Sequence, residues 1–251
     1  MIKIPEAFES LLLPEGFVLE RDKQGRLSLF DTRDGAPGPL CVDFLSGKTG
    51  WRVRDLARGD LLPRAVGMKS KQPPRTLLDA TAGLGFDAAS LALMGLDVTA
   101  IEQSPIVHAL LMDGLNRAIT LGGEGFTRLK SNLKVICADS RHFLRMHAGE
   151  RSSILDVIYL DPMFPEAGKR ARSRKEMQHL QAILPPQPAL ELQELFQLAM
   201  GVAARRVVVK RPLHATEIAE NPPPSHCLKG KSVRFGVYIV TRGNRDTDPA
   251  V

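Results

Sequence analysis

An apolar run that breaks on two glycines, Leu77-Leu78-Asp79-Ala80-Thr81-Ala82-Gly83-Leu84-Gly85-Phe86-Asp87, constrains this chain more than any other stretch. It reads as a buried strand, a glycine turn and the start of a helix, with a carboxylate at the strand's end. Such a unit lets bare backbone approach a nucleotide-like ligand closely. A fixed carboxylate just before the glycines sits badly beside a pyrophosphate and well beside a cationic, amino-acid-bearing ligand. S-adenosylmethionine is such a ligand. The spacing Gly83-x-Gly85-x-x-Ala88 also satisfies the dinucleotide pattern, so the turn alone is weak evidence. Asp79 and Asp87 add to it, because each can hydrogen-bond a ligand amine or anchor the loop.

From residue 73 the pattern alternates as in parallel α/β folds. Strands are expected at Thr76 to Thr81, Asp97 to Glu102, Lys134 to Ala138, Ile154 to Leu160 and Arg206 to Lys210, with a closing strand or hairpin over Val233 to Thr241. Helices fall between them: Phe86 to Met94, one capped by Ser104-Pro105 and running to Leu121, one from Ser140, a charged one from Lys169 to Ile183, and Ala189 to Ala203. Residues 1–72 differ in texture. Leu27 to Phe30 and Leu40 to Leu45 look like short strands, and Trp51 to Arg54 like a hairpin return through Ser46 to Gly50, so a small β-rich N-terminal extension and linker is expected. Residues 73–243 form the main domain, and 244–251 a polar tail. Gly47-Lys48-Thr49 is no phosphate loop, because Val42 stands where the first glycine belongs and no helix pattern follows.

The chain has 251 residues, 43% of them hydrophobic, enough for one sizeable α/β domain with an appendage. No apolar stretch approaches the roughly 20 residues that span a bilayer. Pro5, Glu6 and Glu9 stand where a signal peptide would be basic and then apolar. A cytoplasmic protein without membrane association is expected. Cys41, Cys137 and Cys227 are scattered, as small buried or incidental thiols would be, and the six histidines lack metal-ligand spacing, so no metal is expected. The net charge of +6 fits a polyanionic partner without establishing one.

Four further features carry chemistry. Glu102 ends the second strand, where a carboxylate accepts ribose hydroxyls of S-adenosylmethionine or NAD equally well. Asp139-Ser140 follows the third strand, where an adenine amine would lie; Asp139 is equally a helix N-cap. The fourth strand ends in Asp161-Pro162-Met163-Phe164-Pro165. The Asp161 carboxylate and the Pro162 carbonyl can accept the two protons of an exocyclic amine, and Phe164 can stack on its base. Lys169, Arg170, Arg172, Arg174 and Lys175 then crowd one short segment; this is ordinarily a solvated helix face, but with Arg205-Arg206 and Lys210-Arg211 it suggests a rim that grips phosphates.

Together, Leu78 to Gly85, Tyr159 to Pro165 and Arg206 to Pro212 resemble the signature blocks of RsmJ-type enzymes, the bacterial small-subunit (16S) ribosomal RNA guanine-N2 methyltransferases. The resemblance extends to Val42-Asp43-Phe44 and Ala65 to Lys69, and so covers roughly residues 40–240. It implies a Rossmann-like, seven-stranded class I S-adenosylmethionine-dependent methyltransferase fold. It also implies cofactor contacts at Phe86-Asp87, Glu102-Gln103, Asp139-Ser140 and Asp161. Where this chain has Phe86 and Gln103, family members carry Arg, so backbone contact is what carries over there; Asp139 stands where a Ser is familiar. The implied substrate is a guanosine in small-subunit ribosomal RNA, naked or in the assembled 30S subunit, with no obligate protein partner evident. Competing readings are another amino-directed methyltransferase (adenine N6 or protein amide), an NAD-dependent oxidoreductase, and a non-catalytic RNA-binding protein on the same scaffold.

Overall fold

Strand-forming and helical runs alternate from Thr76 onward and assemble into one seven-stranded sheet covered by helices on both faces. The computed structural model describes residues 12–148, 155–162, 175–185, 187–219 and 221–240. The sheet contains β3 (Thr76–Asp79), β4 (Asp97–Glu102), β5 (Leu133–Cys137), β6 (Val157–Leu160), β7 (Arg206–Pro212), β8 (His226–Lys229) and β9 (Val233–Ile239). It is preceded by the hairpin β1 (Phe17–Arg21) and β2 (Leu27–Asp31) and by helices α1 (Gly47–Asp55) and α2 (Leu61–Val66). The later helices are α3 (Phe86–Leu93), α4 (Pro105–Leu121), α5 (Thr127–Asn132), α6 (Ser140–His147), α7 (Lys175–Ile183) and α8 (Ala189–Val202).

The strand order is β5-β4-β3-β6-β7-β9-β8. The first five run parallel, β9 is antiparallel to β7, and β8 is antiparallel to β9. Chain order reverses direction across the sheet between β3 and β6, which opens a crevice at their carboxyl ends. Asp79 pairs with Tyr159 in that register.

Strand β6, Val-Ile-Tyr-Leu, is buried throughout because both of its faces are covered. Val157 and Tyr159 belong to the core cluster that also holds residues of α3, α4 and the N-terminal hairpin, whereas Ile158 and Leu160 belong to the one that holds residues of α6 and α8. Helix α4 starts as its sequence requires, with the Ser104 hydroxyl accepting from the Val107 amide and Pro105 in the first turn.

The N-terminal extension corrects several expectations. Residues Gly47–Asp55 form helix α1, so no hairpin returns at Trp51 to Arg54. Gly50 and Val53, three residues apart, face inward together, and a Cβ at Gly50 would press on the Phe44 carbonyl. That close approach favours the helical period. Leu40 to Leu45 contributes a single bridge, Leu29 to Leu40, because Asp43 turns the chain by accepting from the amides of Leu45 and Ser46. Among these elements β1, α2, α5 and β8 are additions to the sequence reading. A helix does begin at Gly47, but Val42 is fully buried in the core, so the missing glycine alone decides against a phosphate loop.

Phe17, Leu27, Val42 and Phe44 share one core with Leu110 and Leu111 of α4. Asp113 of α4 fastens the hairpin: Oδ1 accepts from Arg21, and Oδ2 from the Leu27 amide and Arg117. Cys137 is exposed and Cys41 and Cys227 are half-buried free thiols, not buried ones. Among the described residues no helix is long and apolar enough to cross a membrane, and no three metal-ligating side chains cluster.

Candidate active site

The glycine turn leaves β3 with two residues in the left-handed region, Gly83 at φ +54° and Gly85 at φ +76°. A Cβ on Gly85 would run into the δ-methyl of Leu111, so helix α4 sets a second requirement for glycine there. At Gly83 a Cβ would meet no heavy atom nearer than 4.0 Å, so the backbone lies bare. Glu102 at the end of β4 fixes the turn: Oε2 accepts from the Gly83 amide at 2.9 Å and Oε1 from the Ser104 amide at 2.7 Å. Burial raises the Glu102 carboxyl above its ordinary pKa, against the pull of those amides. Each carboxylate oxygen accepts more than one bond, so Glu102 keeps capacity for a ribose hydroxyl.

Asp79 is 2% exposed and accepts from the Thr81 amide. Its pKa is pushed up to about 8, first by burial and then by the neighbouring charges of Asp87 and Asp161. Asp161 follows β6 and its amide donates to the Thr81 hydroxyl at 2.6 Å. Lys210 of β7 reaches both remaining carboxylates, at 2.7 Å from Asp161 Oδ2 and 2.8 Å from Asp87 Oδ2. The Tyr159 hydroxyl donates to the same Asp87 oxygen at 2.7 Å. Burial works against the Lys210 ammonium, yet Asp87 and Asp161 outweigh it and hold its pKa above the ordinary lysine value. Burial raises the Asp161 carboxyl, with Lys210 the main opposing influence.

Beyond the carboxyl ends of β4 and β5 a cleft of about 680 Å³ opens, lined by Gln103, Ser104, Ala138 and Asp139, with Pro188 and Glu191 opposite. That volume is ordinary for a cofactor site. Bare backbone at Gly83, the Glu102 carboxylate and this adjoining cleft fit an adenosine-bearing ligand.

The expected cofactor-binding residues lie along the carboxyl ends of β3, β4, β5 and β6, with differences in what each one does. Asp139 caps α6 by accepting from the Arg141 amide and pairs with the Arg141 guanidinium while lining the cleft. Ser140 is buried, its hydroxyl donating to the Ala80 carbonyl at 2.6 Å, so it braces β3. The Phe86 ring packs edge-on against Phe44, centroids 5.2 Å apart, which leaves its backbone for a ligand. Gln103 is exposed at the cleft. Pro162 is buried beside Asp161.

The basic rim is corrected in part. Lys210 is turned inward onto Asp87 and Asp161, and Arg211, on the opposite strand face, is 6% exposed near Arg234 and Glu217. Neither forms a solvent-facing rim. Arg205 and Arg206 stand at the start of β7, the edge away from Asp161, bonded to the carbonyls of Gln72 and Ala65. Phe164, Lys169, Arg170, Arg172 and Arg174 lie outside the described residues, as does the Lys175 side chain. Thr81 and Tyr159 join the site through hydrogen bonds to Asp161 and Asp87 that no local motif announces. Register, not a local signal, turns Lys210 inward: Tyr159 pairs with Val208, so two residues further along the same face Asp161 meets Lys210.

A family model described as "Putative SAM-dependent methyltransferase" matches residues 14–240. A Ribosomal RNA small subunit methyltransferase J from Marinobacter nauticus is 40% identical, over 90% of this chain and 78% of the relative. One from Coxiella burnetii is 42% identical, over 85% of this chain and 80% of the relative. The chain belongs to the ribosomal RNA small subunit methyltransferase J family. Among solved structures, a SAM-dependent methyltransferase from Neisseria gonorrhoeae matches at a TM-score of 0.66 and 29% identity, covering 90% of this chain and 84% of that one. The fold is the Rossmann-like class I methyltransferase fold. Membership in the methyltransferase J family removes the oxidoreductase reading of the glycine turn, and the cofactor of the family is S-adenosylmethionine.

Proposed function

We propose that this protein transfers a methyl group from S-adenosylmethionine to the exocyclic N2 of a guanosine in small-subunit (16S) ribosomal RNA. Support for the RNA substrate comes from the names of the relatives. The observation that carries the chemistry is the tie between Asp161 and Thr81, which sets an acceptor carboxylate beside the glycine turn.

The residues that would hold the cofactor are the backbone of Gly83, Gly85, Phe86 and Gln103, the carboxylates of Glu102, Asp79, Asp87 and Asp161, and Asp139 at the cleft, with Ser140 bracing β3 behind it. When bound, S-adenosylmethionine supplies a methyl group on a sulfonium, an excellent leaving group. The protein's own task is positioning. A guanine exocyclic nitrogen has its lone pair delocalised into the ring and is a poor nucleophile. Asp161 and the Pro162 carbonyl would accept hydrogen bonds from its two N–H groups and bias it toward a tetrahedral geometry, while Phe164 stacks on the base at a gain of about 1–3 kcal/mol. The nitrogen–methyl bond would form as the sulfur–methyl bond breaks, S-adenosylhomocysteine would leave as a neutral thioether, and the one surplus proton on nitrogen would pass to Asp161 and on to water. Lys169, Arg170, Arg172, Arg174 and Lys175, the basic run that follows this strand end in sequence, would supply phosphate contacts. The protein acts on RNA in the cytoplasm, without a metal.

The test offers the full chain labelled S-adenosylmethionine with 30S subunits, free 16S RNA, DNA and protein, followed by mass analysis of digested nucleosides. N2-methylguanosine in small-subunit RNA is the expected product. N6-methyladenosine, or label in DNA or protein, overturns the assignment.

A further inference from the structure

Lys210 sits where two loops of the site meet. Its ammonium bridges Asp87, in the first turn of α3 directly after the glycines, and Asp161, directly after β6. Only 19% of its side chain is exposed. Tyr159 bonds the same Asp87 oxygen, so Tyr159, Asp87, Lys210 and Asp161 form one hydrogen-bonded line across β6, α3 and β7. Both lysine contacts fall on Oδ2 atoms. Among the described residues nothing donates to Asp161 Oδ1, while the Asp161 amide is held by Thr81.

The titratable groups facing Asp161 come from each element around it: Lys210 on β7, Asp87 on α3, Asp79 on β3 and the neutral Tyr159 hydroxyl on β6. Asp87 and Asp161 thus share one ammonium, with the buried Asp79 carboxyl close by. Remove the cation and like charges crowd a partly dehydrated pocket, which favours protonation. A protonated carboxyl offers a donor on one oxygen and is a poorer acceptor for an amino proton.

We propose that Lys210 is a positioning residue for methyl transfer, holding Asp161 as an oriented, ionised acceptor whose Oδ1 is left for an amino proton of the base. The proposal rests on the role given to Asp161 above. It takes Lys210 out of the phosphate-binding set and explains why a lysine, with a single compact charge, stands between two carboxylates.

The experiment compares the full-length wild type with Lys210→Gln, Lys210→Met and Lys210→Arg. Single-turnover methylation is followed from pH 5.5 to 9.5, S-adenosylhomocysteine binding by calorimetry, and the Asp161 carboxyl by ¹³C titration, assigned with Asp161→Asn. Lys210→Gln and Lys210→Met are expected to lose about tenfold or more at pH 7, with the acid limb of the rate moved up by about one pH unit. Lys210→Arg keeps the positive charge, so its acid limb stays near the wild-type position and part of the rate returns, limited by the bulkier guanidinium; product affinity stays within about threefold in all variants. An unmoved acid limb, or an equal loss at every pH without rescue by arginine, overturns the proposal. Should the wild type fail to methylate guanine, the substrate reading fails by itself. The carboxyl titration then still decides: an Asp161 pKa that rises on loss of Lys210 upholds the coupling, and an unmoved one refutes it. Lys210→Gln retains a side chain of comparable reach and keeps the test open if Lys210→Met does not fold.

Discussion

The amide of Asp161 donates to the Thr81 hydroxyl across 2.6 Å, and this bond ties the end of β6 to the turn that leaves β3. Parallel pairing of β3 with β6 brings the two segments side by side, and the hydroxyl then sets their relative height. Thr81→Val keeps the shape of the side chain and removes the acceptor. It is expected to cost about 1–2 kcal/mol of stability. The catalytic rate should fall further than cofactor affinity, while Thr81→Ser stays near wild type. Denaturant melts and methylation kinetics check this, and a wild-type rate in Thr81→Val would mean that Asp161 is placed without the bond.

Gly85 carries two constraints at once, a positive φ and contact with Leu111. Gly85→Ala should destabilise the protein by about 1–3 kcal/mol and abolish S-adenosylhomocysteine binding. Adding Leu111→Ala relieves the overlap but leaves the backbone strain, so it should restore neither stability nor binding in full. Calorimetry on the single and double variants separates the two terms.

Asp79 gives a pH dependence whose sign follows from its burial. Its pKa of about 8 in the folded protein exceeds the unfolded value near 4, so between those pH values the native state binds more protons than the unfolded one. Stability in the absence of cofactor therefore falls as pH rises through that window, by at most about 1.4 kcal/mol per pH unit from this group. Asp79→Asn keeps an acceptor for the Thr81 amide and should flatten the slope. Urea denaturation at pH 5, 6, 7 and 8 tests it; equal slopes for the two proteins would mean that Asp79 stays ionised in the native state.

Asp113 is the latch of the N-terminal hairpin, bonded to Arg21, Arg117 and the Leu27 amide with its side chain 3% exposed. Asp113→Ala leaves a buried amide without its acceptor, and should cost about 2 kcal/mol, a figure held down because Arg21 is half exposed. Cleavage by trypsin at Arg21 and Arg26 should accelerate accordingly. Asp113→Asn, which still serves the amide, should lose less.

Much of this architecture was legible in the residues. The bounds of β4, Asp97–Glu102, and of α4, Pro105–Leu121, follow from an apolar run and from a Ser-Pro cap, both of which are local chemistry. The glycine turn was legible for the same reason, since positive φ is a property of the residue itself. Helix α1 was not. Trp51 and Val53 favour strands by propensity, and contact with Phe44 at Gly50 and with α3 decided otherwise.

The sequence by itself determined the alternating pattern, the turn at Gly83 and Gly85, and the carboxylates that end each strand, because these depend on neighbours within a few residues. Only the tertiary structure decided which of those carboxylates share a cation. Asp87, Asp161 and Lys210 are far apart along the chain, and they meet because β6 lies between β3 and β7 in a fixed parallel register. An inward lysine and a solvent-facing one look alike in a string of residues. Burial and register tell them apart, since a charge removed from water must find its partner inside the protein.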